Sequence, residues 1–306
     1  MAAKKSRPGI GFIAPSGQVL DVTALDRAVA YFKARGFHVV CPAAVRRTHQ
    51  RFAGNDAARV QALHAMLARD DVDVVMAVRG GYGLSRLLDR IDYGQIARSN
   101  KIFVGHSDFT ALNSAMYAQG KTASYCGPTA CYDFGANVVS GFTEEHFFGV
   151  LLHARHRVEI AAANPYRFNA AGRIWGGNLA LLAHLAGTPY LPRINRGILF
   201  VEDINEHPYR IERMLYQLHY AGVLQRQQAL LLGDFSDYKA LPNDNGFDFA
   251  AMADHLRGRF QIPIITGLPF GHCRDKLTIP FGARVRLDVT RSGFSLDLSA
   301  YPSQAR

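Results

Sequence analysis

The sequence of 306 residues has little cysteine and no long apolar run, and each of these scarcities excludes a class of protein. Its four cysteines, Cys41, Cys126, Cys131 and Cys273, form neither a CxxC pair nor a dense framework. A disulfide-stapled scaffold is therefore excluded, and a reducing compartment is favoured. No apolar stretch is long enough to cross a bilayer, and Pro8 interrupts the basic N-terminus before a signal-peptide core develops. We therefore expect a soluble, cytoplasmic protein with no membrane partner.

Positive charge exceeds negative charge, with 35 Lys and Arg against 25 Asp and Glu and a formal net charge of +10. The basic residues are scattered, with only short groupings such as AAKKSR and VRRTHQR. No RNP, zinc-finger or helix-turn-helix signature accompanies them. A diffuse positive field attracts small anionic substrates. We favour such substrates, or simple solubility, over a nucleic-acid partner.

Apolar runs alternate with helical patterns from Gly9 to about His153. The runs GIGFI, FHVV, VDVVMAV and KIFVG are continuously apolar, which is typical of parallel strands covered on both faces. Helical patterns follow them at residues 23–35, 55–69 and 84–91, from residue 108 onward, and at 144–154. Strand–helix alternation of this kind predicts a doubly wound α/β domain.

The pattern changes after this half. Residues 164–177 are rich in Ala, Asn and Gly and show no helical period, so we interpret them as a linker. The second half is mixed α and β and ends in RVRLDVTRSGFSLDL, whose alternation around Ser292-Gly293 predicts a hairpin. The sequence thus predicts an N-terminal, mostly parallel α/β domain at residues 1–163 and a smaller, β-rich mixed α/β domain at residues 178–306. Lengthening such a linker near Ala170 is expected to lower turnover while changing stability little.

Two polar segments follow predicted strands of the first half, and open parallel sheets bind ligands at such strand ends. In RGGYG, Arg79 to Gly83, the glycines allow a sharp turn and point backbone N–H groups toward an anion. In GHSDF, Ser107 is either the cap of the following helix or a nucleophile. The nucleophile-elbow pattern G-x-S-x-G is incomplete, because Phe109 stands in place of the second glycine. Adjacent side chains of an extended segment alternate, so His106 is predicted to face away from Ser107.

Two further strands, in the second half, end at Glu202 and His272. A serine nucleophile needs a base, and the base needs an acid partner that holds its tautomer. Ser107, His272 and Glu202 fit these roles. A helix cap, a loop histidine and a surface carboxylate are the plainer interpretations of the same three residues.

A metal site is the competing chemistry. The segment HCRD offers His272, Cys273 and Asp275, and His207 and Glu206 lie elsewhere in the second half. No HExxH and no paired CxxC supports a metal site. We therefore expect no metal.

Six motifs occur in order between about Gly9 and about Arg286: GFIAPSG, RGGYG, GHSDFTAL, GGNLALLAHLAGTPY, FVEDINEHPYRIERMLYQL and GLPFGH. In this combination the chain resembles the LD-carboxypeptidase family, the serine peptidases of family S66, which also includes the microcin C7 self-immunity proteins. The resemblance implies a cytoplasmic, metal-free enzyme without a cofactor, typically a homodimer. It also assigns the roles of five residues: Ser107, Glu202 and His272 form a catalytic triad, and the backbone N–H groups of Gly81 and Asp108 are the oxyanion donors.

The implied reaction removes the terminal D-alanine from murein tetrapeptide through an acyl-enzyme, in cell-wall recycling. The alternative is the microcin-type amidase reaction on peptidyl-adenylates. A binding module that has lost this chemistry is disfavoured, because all three triad positions are filled.

Five residues keep open interpretations under this resemblance. Either Arg79 or Arg274 can supply the cation that a free terminal carboxylate needs. Trp175 either packs between the domains or stacks on a substrate ring, as for a nucleotide-linked peptide. His106 and Cys126 depart from the usual family residues and are expected to reshape the pocket.

Overall fold

The structure is a computed structural model that describes residues 8–305. Residues 1–7, and with them the basic AAKKSR grouping and the predicted absence of a signal peptide, lie outside the described residues. Among residues 8–305 the longest helices have 13 residues. None of the described helices has the length and hydrophobicity of a membrane span.

The described chain alternates strands and helices and forms two sheets. The strands are β1 Gly9–Ile13, β2 His38–Val40, β3 Val74–Ala77, β4 Ile102–Gly105, β5 Ser124–Cys126, β6 Arg155–Ala161, β7 Phe168–Asn178, β8 Gly197–Ile204, β9 Gln227–Ser236, β10 Ile264–Thr266, β11 Ile279–Phe281, β12 Arg284–Thr290 and β13 Gly293–Ser299. The α-helices are α1 Val22–Ala34, α2 Asp56–Leu67, α3 Tyr93–Ser99, α4 Phe109–Gly120, α5 Gly141–Leu152, α6 Leu179–Leu185, α7 Pro208–Tyr220 and α8 Phe249–Arg259.

The first sheet has the order β11-β5-β4-β3-β1-β2. Its strands β1 to β5 run parallel to one another. Every residue of β1, β3 and β4 is buried, because helices cover both faces of the sheet. The predicted doubly wound, mostly parallel sheet of the first half is therefore confirmed.

The second sheet has the order β10-β9-β8-β7-β12-β13-β6 and is mixed. Strands β7 to β10 are parallel, whereas β12, β13 and β6 pair antiparallel. The hairpin predicted at Ser292-Gly293 is confirmed, since β12 and β13 pair up to the partners Thr290 and Gly293. This sheet gives the second half its mixed α/β character.

Each half of the chain contributes one strand to the sheet of the other half. Strand β6 precedes residue 163 but pairs with β13 in the second sheet. Strand β11 belongs to the second half but pairs antiparallel with β5 at the edge of the first sheet. The division of the chain into two domains at residues 163 and 178 stays a prediction. Each of the two sheets contains one strand from the other side of that division.

The segment predicted as a linker, residues 164–177, lies mostly in strand β7, in the middle of the second sheet. Ala and Gly have low strand propensity, but pairing with β12 on one side and β8 on the other overrides it. The glycines admit close backbone neighbours. A Cβ on Gly172 would lie 2.1 Å from the carbonyl oxygen of Arg196, and one on Gly176 would lie 1.8 Å from that of Phe200.

The helical pattern at residues 84–91 is also shorter than predicted. Only Leu84–Arg86 forms a 3₁₀ turn, and the next helix, α3, begins at Tyr93. The side chain of Asp92 fixes that start, because it accepts a hydrogen bond from the backbone N–H of Gln95.

An insertion of three Gly and Ser residues after Ala170 tests the role of β7. Ala170 pairs with Leu287 of β12, so the insertion displaces the ladder register and costs several cross-strand pairs of about 0.2–1 kcal/mol each. We expect a clear fall in the melting temperature, contrary to the behaviour of a linker.

The same insertion after Gly246, where a Cβ would contact nothing within 4 Å, is the control. Equal melting temperatures for the two insertion variants would contradict the assignment of β7.

Candidate functional site

Ser107 stands on a tight turn between β4 and α4. Its φ of 62° lies in the left-handed region, which is strained for a residue with a side chain. Gly105 allows this turn, because a Cβ there would lie 2.2 Å from the ring of Phe109. Gly80 approaches from the adjacent loop, where a Cβ would lie 2.7 Å from that of Ser107. The turn therefore has the geometry of a nucleophile elbow, although Phe109 stands where the pattern has a glycine.

The interpretation of the Ser107 side chain as a helix cap is wrong. Asp108 occupies the N-cap position of α4, and no side chain caps that helix. The carboxylate of Asp108 instead accepts hydrogen bonds from the Ser16 hydroxyl at 2.6 Å and the Leu84 N–H at 2.9 Å. These bonds tie the loops after β1 and β3 to the Ser107 turn. Burial raises the pKa of the Asp108 carboxyl group.

Glu202 and His272, which the sequence placed at two separate strand ends, form a direct hydrogen bond. His272 Nδ1 donates to Glu202 Oε2 at 2.8 Å. The Glu202 side chain is fully buried, and Asn178 Nδ2 donates to its other oxygen at 3.2 Å. A buried carboxylate requires such donors. With its Nδ1 proton directed at Glu202, His272 keeps Nε2 as the proton acceptor.

Asn178 and Asp203 are parts of this arrangement that sequence reasoning missed. Asn178 Nδ2 also donates to Asp203 Oδ1 at 2.8 Å, and the N–H groups of Ala180 and Ile204 donate to the same carboxylate. Burial and the nearby charge of Glu202 raise the pKa of Asp203 to about 6. Asn178 lies in the motif GGN, and Glu202 and Asp203 lie in VED. The spacing of the two motifs does not show that the amide of one bridges the two carboxylates of the other.

His106 lies beside the pair instead of facing away from Ser107 as predicted. Both His106 and Ser107 line one cavity, because the left-handed turn removes the alternation of an extended chain. The His106 ring centroid is 4.6 Å from that of His272 and 5.3 Å from that of Phe270. Its Nε2 lies 3.9 Å from Glu202 Oε2. Burial, Lys276 and His272 hold the pKa of His106 well below its usual range, so the ring is neutral at physiological pH.

The cavity in front of Ser107 has a volume of about 450 Å³. Ser107 and His272 both face it, together with Gly80 and Gly81 of the glycine turn. Among residues 8–305, no hydrogen bond is found from the backbone N–H of Gly81 or of Asp108. Neither N–H group is thus engaged within this part of the chain, which is a requirement for the expected oxyanion donors.

Three basic residues, Arg27, Arg79 and Lys276, line the cavity, together with Asp21, which pairs with Arg27. Arg79 is held by a hydrogen bond from its Nη1 to the carbonyl oxygen of Gln18 at 3.0 Å, and burial lowers its pKa. Arg274, the other candidate cation, lines a neighbouring cavity that lacks Ser107 and His272. The structure therefore separates the two candidates, and Arg79 is the one beside Ser107.

Lys276 is a buried cation of the cavity wall that sequence reasoning passed over. Its Nζ lies 3.0 Å from Asp133 Oδ1 and 4.7 Å from the centroid of the Tyr132 ring. Asp133 Oδ2 also accepts the backbone N–H of Thr129 at 2.7 Å. Lys276 lies in the quoted segment GLPFGHCRDK, but a single lysine there gives no sign of its buried partner.

The metal-ligand set proposed from HCRD does not form. Cys273 Sγ donates to the carbonyl oxygen of Asp275, whose own carboxylate accepts from Ser140, and His207 pairs with Asp244. Within the described range 8–305, one group of three potential ligands lies close together: His106, Glu202 and His272.

Trp175 and Cys126 belong to the core. Trp175 is 1% exposed, and its Nε1 donates to Gln227 Oε1 at 2.9 Å. It packs against Phe281 and does not line the cavity, so the ring-stacking interpretation is wrong. Cys126 is buried and accepts a hydrogen bond from Asn113 Nδ2 at 3.1 Å. Burial raises the pKa of its thiol, so it stays an unreactive thiol.

Part of the excess positive charge gathers away from the Ser107 cavity. A second cavity of about 440 Å³ lies against β7 and β12. Five basic residues line it: Lys121, Arg173, Arg193, Arg196 and Arg284. Basic residues that are scattered along the sequence are therefore close together at this cavity in the folded chain.

Two family models match the chain. The LD-carboxypeptidase N-terminal domain matches residues 10–127, and the LD-carboxypeptidase C-terminal domain matches residues 171–287. The crystal structure of muramoyltetrapeptide carboxypeptidase from Oxalobacter formigenes has 45% sequence identity and a TM-score of 0.92, over 96% of this chain and 100% of that chain.

Two sequence relatives extend over most of the chain. "Probable murein peptide carboxypeptidase" of Bacillus subtilis (strain 168) is 29% identical over 283 residues, 92% of this chain and 88% of that protein. Microcin C7 self-immunity protein MccF of Escherichia coli is 27% identical over 325 residues, 94% of this chain and 92% of that protein.

A Lys276→Gln substitution tests the buried ion pair in the cavity wall. It leaves the Asp133 carboxylate buried without its cation, which costs about 3–5 kcal/mol. We expect urea unfolding to show a loss of this size. Arg157→Gln, which removes an exposed ion pair with Asp297, is the matched control and is expected to cost less than about 1 kcal/mol. Equal losses would contradict the structural role of Lys276.

Proposed function

Because the chain belongs to the LD-carboxypeptidase family, peptidase family S66, we propose that it hydrolyses the bond between an L-centre and the terminal D-alanine of murein tetrapeptide. The observation that carries the proposal is the hydrogen bond between Glu202 and His272, because His272 lines the same cavity as Ser107. The relatives named for murein peptides support this choice of substrate.

In the proposed mechanism, Ser107 Oγ attacks the scissile carbonyl carbon while His272 Nε2 takes the serine proton. Glu202 holds the Nδ1 proton and stabilises the imidazolium that forms. Collapse of the tetrahedral intermediate breaks the C–N bond, and His272 returns the proton to the leaving D-alanine. Water then attacks the ester with His272 again as the base, and this step regenerates Ser107.

The negative oxygen of the tetrahedral intermediate is proposed to lie against the backbone N–H groups of Gly81 and Asp108. Gly81 has a φ of 106°, a backbone conformation that glycine adopts without strain and that strains other residues. The Asp108 carboxylate, bonded to Ser16 and Leu84, holds the second donor in place. Donors fixed before the reaction stabilise the transition state without reorganisation.

Arg79 is proposed to bind the free terminal carboxylate of the substrate. It lines the cavity with Ser107, and its hydrogen bond to Gln18 restricts its position. Arg27 and Lys276 also line the cavity, but each is paired with a carboxylate, Asp21 and Asp133 respectively.

The alternative function is the amidase reaction on peptidyl-adenylates, and the likeness to MccF favours it. Trp175 supplies no stacking surface for a nucleotide, because it is buried in the core. We therefore place the murein peptide first.

A cytoplasmic location, a homodimeric assembly and independence of a metal or cofactor are part of the same proposal and rest on family membership. Nucleic-acid binding is not expected. Measuring the affinity for random DNA at several salt concentrations tests this expectation. A protein that neutralises DNA phosphates loses affinity steeply as the salt concentration rises.

The Ser107→Ala variant tests the nucleophile. We expect turnover of murein tetrapeptide to fall at least about a thousandfold, because no other group forms the acyl-enzyme. Mass spectrometry of the products from murein tetrapeptide and from a peptidyl-adenylate analogue measures both candidate reactions.

Ser114→Ala is the control, since Ser114 lies buried on α4, the helix that follows Ser107, outside the cavity. Substantial activity in purified Ser107→Ala would remove Ser107 from the mechanism.

Arg79→Met and Arg274→Met together test the carboxylate site. Loss of a charged hydrogen bond of about 1.5–3 kcal/mol predicts about a tenfold to hundredfold loss of kcat/KM for Arg79→Met. A substrate with an amidated C-terminus is expected to show no such loss, because it lacks the charge. Arg274→Met is expected to resemble the parent. The reverse order of the two variants would assign the carboxylate to Arg274.

A further inference from the structure

The buried carboxylate of Glu202 has an imidazole ring on each of two sides. His272 Nδ1 lies 2.8 Å from Oε2, and His106 Nε2 lies 3.9 Å from the same oxygen. The proposed mechanism uses the contact between His272 and Glu202 and assigns no role to the contact between His106 and Glu202. His106 is 5% exposed, and within residues 8–305 its Nε2 has no hydrogen-bond partner.

Two histidines and a carboxylate are a ligand set that zinc commonly accepts in proteins. One potential ligand atom from each residue lies within 4.8 Å of the other two. Ligand atoms at about 2.0–2.1 Å from a tetrahedral Zn²⁺ ion are about 3.4 Å from one another. The separations of 2.8 and 3.9 Å from Glu202 bracket this value, and the ligand atoms of the two histidines lie within 4.8 Å of one another, so side-chain shifts of about 1 Å create the site.

The site can be reached from the solvent-facing cavity, which also has room for a further ligand. His106 and His272 both line the cavity of about 450 Å³, which admits a water molecule as the fourth ligand. Glu202 contributes from behind them, with its second oxygen held by Asn178.

We propose that His106, Glu202 and His272 bind one Zn²⁺ ion and that the bound ion inhibits the enzyme. Zinc binds the neutral imidazole, so binding at Nδ1 of His272 moves the ring proton from Nδ1 to Nε2 and replaces the hydrogen bond to Glu202 by two metal bonds. With a proton already on Nε2, the metal-bound His272 cannot accept the Ser107 proton. The inhibition rests on the proposed function, whereas the binding does not.

Direct binding is measured first, by calorimetric titration of the EDTA-treated protein with Zn²⁺ alone. We expect one ion per chain in the parent. His106→Phe keeps the aromatic contacts and removes one ligand, so its affinity is expected to fall at least about tenfold. His156→Phe is the matched control, because His156 forms the chain's separate histidine contact with His146 at 2.8 Å. Melting curves in EDTA verify that both variants fold.

Inhibition is measured second, on murein tetrapeptide. EDTA-treated parent and His156→Phe are expected to be active and to share one inhibition constant for Zn²⁺, and EDTA is expected to reverse the effect. His106→Phe is expected to need at least about tenfold more Zn²⁺ for half inhibition, whatever its own basal rate.

The outcomes separate the two proposals. Equal Zn²⁺ affinity in parent and folded His106→Phe, or a loss of affinity only in His156→Phe, overturns the zinc site. Binding that depends on His106 in a protein that hydrolyses neither substrate supports the zinc site and overturns the proposed function instead.

Discussion

The burial of the Glu202 carboxylate is the constraint on which the site depends. A charge without solvent must be matched by donors, and the donors come from separate parts of the chain: Asn178 at the end of β7 and His272 after β10. Asp203 beside it accepts a hydrogen bond from the same amide, and burial together with the nearby charge of Glu202 raises its pKa. The position of His272 is therefore a consequence of how one buried charge is compensated.

The exchange of strands between the two halves keeps this arrangement aligned with Ser107. Strand β11 follows His272 closely and pairs with β5, which is next to β4, the strand that precedes Ser107, in the first sheet. Two domains joined only by a flexible tether would be free to move relative to one another. Here the histidine-bearing segment is anchored in the sheet of the serine, and misplacement of about 1 Å costs on the order of a hundredfold in rate.

Much of the fold and of the site was predictable because it depends on local patterns. Continuous apolar runs identified the parallel strands, and their polar ends offered Ser107, Glu202 and His272 as candidates, which the family resemblance then assigned to one triad. The strand role of residues 168–178 was not predictable, because Ala and Gly there become strand only through neighbours distant in sequence. The partner of Lys276 was hidden for the same reason, since Asp133 lies far away along the chain.

The close approach of Gly80 to Ser107 links two sequence motifs. The glycine turn leaves no room for a Cβ because Ser107 itself has one, only 2.7 Å from where the new atom would lie. If a descendant of this chain replaced the serine by glycine, the steric reason for glycine at position 80 would weaken at the same time. Substitutions of Gly80 would then be expected together with loss of the Ser107 side chain. A glycine retained at this position is thus a sequence marker for a side chain that is still present on the facing turn.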